Sequence, residues 1–156
     1  FLGPQGGSEE MRAVLFWLDT DADLDLHMSA PKSDQQGRYQ IYANDPVYLE
    51  SGVAVAEMEQ VFQGWESLVV HSTAGGTVRL SAYDPDNADN RSSQTLGQSA
   101  ATMILWSNQG CFMESLGPGI PGNLWHSLDY RTESREVLRL QELRAGVADA
   151  GEVLFD

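Results

Sequence analysis

The chain is short of cysteine, of lysine and of long apolar runs, and each shortage closes a class of function. Its one cysteine, Cys111, excludes an intramolecular disulfide and any thiolate metal cluster. Set between Gly110 and the apolar Phe112 and Met113, it reads as a small buried thiol with no positive neighbour to activate it. Lys32 is the only lysine, and nine basic residues in all stand against 23 acidic ones, for a net charge of -14. Nucleic acid and anionic membrane surfaces are therefore unsuitable partners, because both need clustered Lys or Arg. No apolar run approaches the ~20 residues of a membrane-spanning helix, so membrane insertion is not expected. The catalytic patterns G-x-S-x-G, H-x-H and H-E-x-x-H are missing as well.

What is present fits one folded domain. With 156 residues, 42% of them apolar and 9% aromatic, the chain can bury a core without covalent staples and does not have the composition of a disordered polymer. Residues 1–10, with Gly3, Pro4, Gly6 and Gly7, are expected to form a flexible leader, and residues 11–156 a single domain. Met11 to Leu18 carries apolar residues on both alternating faces, as a central strand covered on two sides does. Strand patterns follow at Leu24 to Ala30, Arg38 to Ala43, Val47 to Leu49, Ser67 to Ser72 and Thr77 to Tyr83. They resume at Ala101 to Trp106, Cys111 to Leu116, Leu124 to Tyr130 and Glu136 to Leu143. Gly75 and Gly76 read as a hairpin turn, Asn108 to Gly110 as another, and Gly117 to Gly122 as a stiff G-P-G-I-P-G loop. Gly52 to Gln63 has helical propensity and is expected as a short helix or an irregular excursion. Val153, Leu154 and Phe155 are expected to add an edge strand or to dock on a partner. About 8–10 short strands with at most one short helix predict an all-β antiparallel β-sandwich of the jelly-roll or immunoglobulin-like kind.

The most distinctive stretch is L-D-T-D-A-D-L-D-L-H-M, Leu18 to Met28. Its period of two predicts a strand with Leu24, Leu26 and Met28 on one face and carboxylates and an imidazole on the other. Same-face neighbours on a strand lie roughly 7 Å apart, so adjacent carboxylates would repel by about 2.4 kcal/mol at an effective dielectric near 20. A cation would offset that repulsion, and calcium, which takes six to eight oxygen ligands in flexible geometry, is the cofactor this pattern admits. Asp19, Asp21 and Asp23 match positions 1, 3 and 5 of an EF-hand loop, but Leu24 and Ala30 stand where that loop needs Gly and Glu. The reading is therefore a loop site at the strand entrance, with Asp25 beside it. A second oxygen-rich loop, D-P-D-N-A-D-N, offers Asp84 and Asp86, and the two groups support one another where the fold brings them to the same end.

His27, His71 and His126 fall on expected strands. Asp25, His27 and His126 are the one trio from which a zinc-type hydrolase site with an open position could be built, while His27 braced by Asp25 is the architectural reading. Of Trp17, Trp65, Trp106 and Trp125, three lie within apolar strands and suit a core. Trp65, between Gly64 and Glu66, is the one expected at the surface.

Several segments together resemble the YfaP-like family of bacterial secreted domains. They are D-L-D-L-H at Asp23 to His27, G-W-E-S-L-V-V at Gly64 to Val70, G-G-T-V-R-L-S-A-Y-D at Gly75 to Asp84, S-A-A-T-M-I-L at Ser99 to Leu105 and W-H-S-L-D at Trp125 to Asp129. The resemblance implies an antiparallel β-sandwich in the periplasm or outside the cell, with no catalytic residues to carry over. The expected function is a non-catalytic accessory or binding module, stabilised by calcium, with an envelope protein or carbohydrate as partner. The competing expectations are a carboxylate- or metal-dependent hydrolase and a structural subunit of a larger assembly.

Overall fold

The run A-V-L-F-W-L, apolar on both alternating faces, lies in the interior of a sheet. In the computed structural model, which describes residues 10–19, 21–90, 92–117 and 121–144, its first four residues belong to β1 (Met11–Phe16). Residues 1–9 of the leader, part of the G-P-G-I-P-G loop and the segment Val153 to Phe155 lie outside the described residues. The strands that follow are β2 (Asp25–Pro31), β3 (Arg38–Ile41), β4 (Val47–Glu50), β5 (Val53–Phe62), β6 (Trp65–Val70) and β7 (Thr77–Tyr83). Then come β8 (Thr102–Ser107), β9 (Gly110–Ser115), β10 (Leu124–Arg131) and β11 (Glu136–Arg144). They form a six-stranded sheet, β4-β5-β6-β1-β8-β9, and a five-stranded sheet, β11-β10-β7-β2-β3, with every pairing antiparallel. The only helical pieces among the described residues are a 3-10 turn at Pro85–Asn87 and a single α-turn at Thr95–Gln98. The fold is the expected all-β sandwich, with eleven strands described rather than about 8–10.

The core lies between the sheets, and period-two alternation selects it. Leu15, Leu68, Met103 and Leu105 enter from the six-stranded sheet, and Leu26, Met28, Leu80, Trp125 and Leu128 from the five-stranded one. Each has at most 2% of its surface exposed. The expected inward set Leu24, Leu26 and Met28 is fully buried.

Three expectations are corrected, and one is sharpened. Gly52 to Gln63 is neither helix nor excursion: β5 is a ten-residue strand paired on both sides. Val53, Val55, Glu57 and Glu59 alternate, and pairing with two neighbours outweighs the helical propensity of Ala, Glu and Met. Cys111 is exposed, not buried; on edge strand β9 it stands opposite Trp106, on the face away from Phe112, which packs against the core. The second strand starts only at Asp25, so Asp19 and Asp21 stand in the loop expected at its entrance and not in a strand. Asp19 closes a turn instead, its Oδ1 accepting from the Asp21 N–H at 3.0 Å and its carbonyl from the Ala22 N–H at 3.2 Å, which is the local competition short polar side chains offer to a strand.

Gly75 and Gly76, finally, do not join a hairpin, because they carry the chain from β6 in one sheet to β7 in the other. Gly76 has φ +77°, and a Cβ there would lie 2.8 Å from Pro31 Cγ. Its N–H donates to Glu133 Oε1 at 2.7 Å, and its carbonyl accepts from the Thr132 N–H at 3.0 Å. Gly76→Ala combines left-handed strain with a steric clash, and is expected to destabilise the fold by about 2 kcal/mol. Thermal denaturation should show this as a fall in Tm of roughly 4–8 °C.

Candidate functional site: an acidic pole and an aromatic face

Strand pairing gathers acids that are far apart in the chain. Asp25 at the start of β2 stands opposite Tyr83 at the end of β7, and Tyr83 stands opposite Leu124 at the start of β10. The residues just beyond these strand ends therefore meet at one pole of the sandwich. The Asp84 N–H donates to the Asn123 carbonyl at 2.9 Å. Two positions past the core-facing Ala82 and two before the core-facing Trp125, Asp84 and Asn123 continue the inward face, and they are 1% and 0% exposed.

The pole is electrostatically crowded. Burial pushes the Asp25 carboxyl up to about 6, and the negative charges of Asp23, Asp86 and Asp84 add to the shift. The Asp84 carboxyl is also held above its ordinary range, first by burial and then by Asp86, against hydrogen bonds from the Asn87 side chain and from the backbone N–H groups of Asp86 and Asn87. Glu66 arrives from the opposite sheet. Its register partner Leu15 faces the core, so Glu66 does too, and it is 3% exposed. Its Oε2 accepts the Leu26 N–H at 2.8 Å, which ties β6 to β2 across the sandwich. Burial pushes its pKa up to about 7; that hydrogen bond pulls it back, and the charges of Asp25 and Asp23 raise it again.

Of the six carboxylates expected as ligands, Asp23, Asp25, Asp84 and Asp86 thus come together, while Asp19 and Asp21 belong to the turn before β2. Among the described residues, no group of three or more His, Cys, Asp or Glu side chains could hold a metal ion. Sequence reasoning missed Glu66 and Asn123. The signal for Glu66 was a lone acid at an inward position of an otherwise apolar strand; for Asn123 there was none.

The outer face of the five-stranded sheet is polar. His27 and His126 both stand opposite Ser81, one on each side. Ser81 Oγ and His126 Nδ1 are 2.9 Å apart, and Gln40 Nε2 donates to His27 Nδ1 at 2.6 Å. The His27 ring stacks on Tyr42 at 4.4 Å and meets the edge of Tyr83 at 5.8 Å. Asp25, His27 and His126 therefore share one face, but both imidazoles are buried and hydrogen-bonded into the sheet. The bond found for His27 Nδ1 is to Gln40, where Asp25 was the expected brace.

The outer face of the six-stranded sheet is apolar instead. One cross-strand row runs Phe62, Trp65, Phe16, Thr102, Ser115, and the next runs Gln60, Ser67, Val14, Ile104, Met113. Phe62 and Trp65 are in contact, ring centroids 5.2 Å apart, with Phe62 52% exposed. At the far end of the first row Thr102 Oγ1 and Ser115 Oγ are hydrogen-bonded at 3.0 Å. Arg12 borders the face, held by Glu59 at 2.9 Å. The four tryptophans divide evenly: Trp17 and Trp125 are in the core, while Trp65 and Trp106 lie on this outer face.

Fold and surface together define a two-sheet antiparallel β-sandwich with an acidic pole and one aromatic outer face. No family model, curated protein or solved structure matches the chain. Among the described residues, no helix is long and apolar enough to cross a membrane.

Proposed function

We propose that the chain is a non-catalytic binding module of the bacterial periplasm or extracellular space that holds neutral carbohydrate on the aromatic face of its six-stranded sheet. The observation that carries the reading is the row Phe62, Trp65, Phe16 on adjacent strands. Strands lie about 4.8 Å apart, so the row is a platform roughly 10 Å long on a rigid sheet. The core is already filled from the other face, and packing between the sheets does not call for aromatic rings here. The face of an aromatic ring is electron-rich and attracts the C–H side of a sugar ring. The exposed Ser115 hydroxyl and the exposed amide of Gln60 lie in the same rows and supply hydrogen bonds to sugar hydroxyls. The net charge of -14 favours a neutral polymer over an acidic one. The resemblance of Asp23 to His27 and of Trp125 to Asp129 to YfaP-like secreted domains supports the location.

Affinity electrophoresis against neutral polysaccharides, followed by titration calorimetry with oligosaccharides, tests the proposal. Retention is expected, and Trp65→Ala should weaken binding roughly tenfold, or about 1.4 kcal/mol, with its melting curve showing that it still folds. Absence of retention on every polymer, or an unchanged affinity in Trp65→Ala, would end this reading. Release of new reducing ends from a bound polymer would replace it with the hydrolase.

A further inference from the structure

The acidic pole holds two buried oxygen atoms whose hydrogen-bonding needs the protein leaves unmet. Asp84 Oδ2 accepts from Asn87 Nδ2 at 2.8 Å, and Asn123 Nδ2 donates to the carbonyls of Asn87 at 3.1 Å and Ala88 at 2.9 Å. Those contacts fix the orientation of the Asn123 amide, because turning it over would set its oxygen against two carbonyl oxygens. Asp84 Oδ1 and Asn123 Oδ1 remain, both buried and both without a partner. A buried acceptor in that condition is unusual in a native fold and points to a missing donor or cation.

We propose that this end of the sandwich binds a calcium-like divalent cation, with Asp84 Oδ1 and Asn123 Oδ1 as its buried side-chain ligands and Asp86 completing the charge from the exposed side. The inference goes beyond the carbohydrate reading and does not depend on it. Three features argue for an ion rather than a solvent molecule. The backbones of Asp84 and Asn123 are already joined at 2.9 Å, so both side chains leave the same corner on the same face. The loop Pro85–Asn87 presents Asp86 beside them without a basic residue in the turn. Asp23 and Asp25 lie close enough for Asp25 to feel Asp84 and Asp86, a concentration of negative charge with no cation among the groups acting on it. Calcium suits this set better than zinc or magnesium. It accepts amide and backbone carbonyl oxygens alongside carboxylates and tolerates irregular geometry, whereas zinc favours nitrogen and sulfur. A site of mixed oxygens does not need the three acidic or imidazole ligands that the described residues fail to assemble.

Melting curves of the whole chain in EDTA and in calcium at 100 times the dissociation constant should differ by roughly 5–10 °C. Asp84→Asn is expected to abolish that shift while keeping the EDTA melting temperature at or above that of the unaltered chain, because the new amide donates where the cation bound. Asp86→Asn, an exposed change that leaves folding intact, should weaken calcium binding at least fivefold in calorimetry. Asp19→Asn, in the neighbouring turn, should leave it unchanged. Terbium, sensitised by the tryptophans, provides a direct readout that calcium should displace. A melting temperature that moves less than 1 °C with calcium, an equal shift with magnesium, or calcium affinity unaltered in both Asp84→Asn and Asp86→Asn would overturn the proposal.

Discussion

Glu66→Gln is expected to raise the melting temperature at pH 8 by roughly 5–10 °C in a chelating buffer and to make the fall in stability between pH 5 and 8 shallower, the remainder coming from Asp25, whose carboxyl burial also raises to about 6. Glu66 has a folded-state pKa of about 7 against an ordinary value of 4.5, with burial as the chief cause. Below about pH 4.5 the carboxyl is neutral in both folded and unfolded chains, and it costs the fold nothing. Between about 4.5 and 7 the unfolded chain releases its proton while the folded one retains it, so stability falls as pH rises. Above about pH 7 the folded carboxyl ionises too, and the loss levels off at about 2–3 kcal/mol. Glutamine keeps an oxygen for the Leu26 N–H and carries no charge, so the bond between β6 and β2 survives while the penalty disappears. Urea denaturation at pH 5, 6, 7 and 8 checks this. Parallel pH profiles for the two proteins would show that Glu66 is not the titrating group.

Trp125 offers the largest single loss. It is fully buried between the sheets, two residues from Asn123, and Trp125→Ala is expected to destabilise the fold by about 3–5 kcal/mol through lost contacts and the cavity left behind. Its indole N–H is buried without a hydrogen-bond partner. Trp125→Phe therefore gives up no hydrogen bond and leaves a smaller cavity, so it is expected to cost about half as much as Trp125→Ala, roughly 1–3 kcal/mol. The contrast separates packing from polarity: a phenylalanine variant as unstable as the alanine one, measured by equilibrium denaturation, would mean that the indole N–H is satisfied in solution and that the pole is more hydrated than its burial indicates. Either Trp125 variant should leave the aromatic face able to bind carbohydrate as long as it folds, since Trp65 and Phe16 stand on the opposite side of the other sheet.

The two surfaces were legible in the sequence to different degrees. Trp65 stood out between Gly64 and Glu66, yet its platform did not, because Phe62 and Phe16 join it only through the pairing of β5, β6 and β1. Trp106 looked like a core residue for the same reason: a strand apolar on both faces does not reveal which face meets the other sheet. Cys111 shows the limit of local composition most plainly. Its neighbours Phe112 and Met113 are apolar, but on an edge strand alternate positions go to solvent.

By itself the sequence determined the class of fold and the inward face of its most acidic strand. Period-two alternation is a property of consecutive residues, so Leu24, Leu26 and Met28 had to share a face wherever that strand was placed. It also determined that the molecule would be strongly acidic. Which acids meet was decided only by tertiary structure. The register of β2 against β7 and of β7 against β10 brings Asp25, Asp84 and Asn123 to one end, and contact between the sheets delivers Glu66 beneath Leu26. These are pairings over tens of residues, set by how two complete sheets fit together, and no local pattern encodes them. The stretch Asp19 to Asp25, one uniform motif in the sequence, is accordingly divided in the structure: its first half is a self-contained turn, and its second half, with Asp84, Asp86 and Asn123, forms the acidic pole.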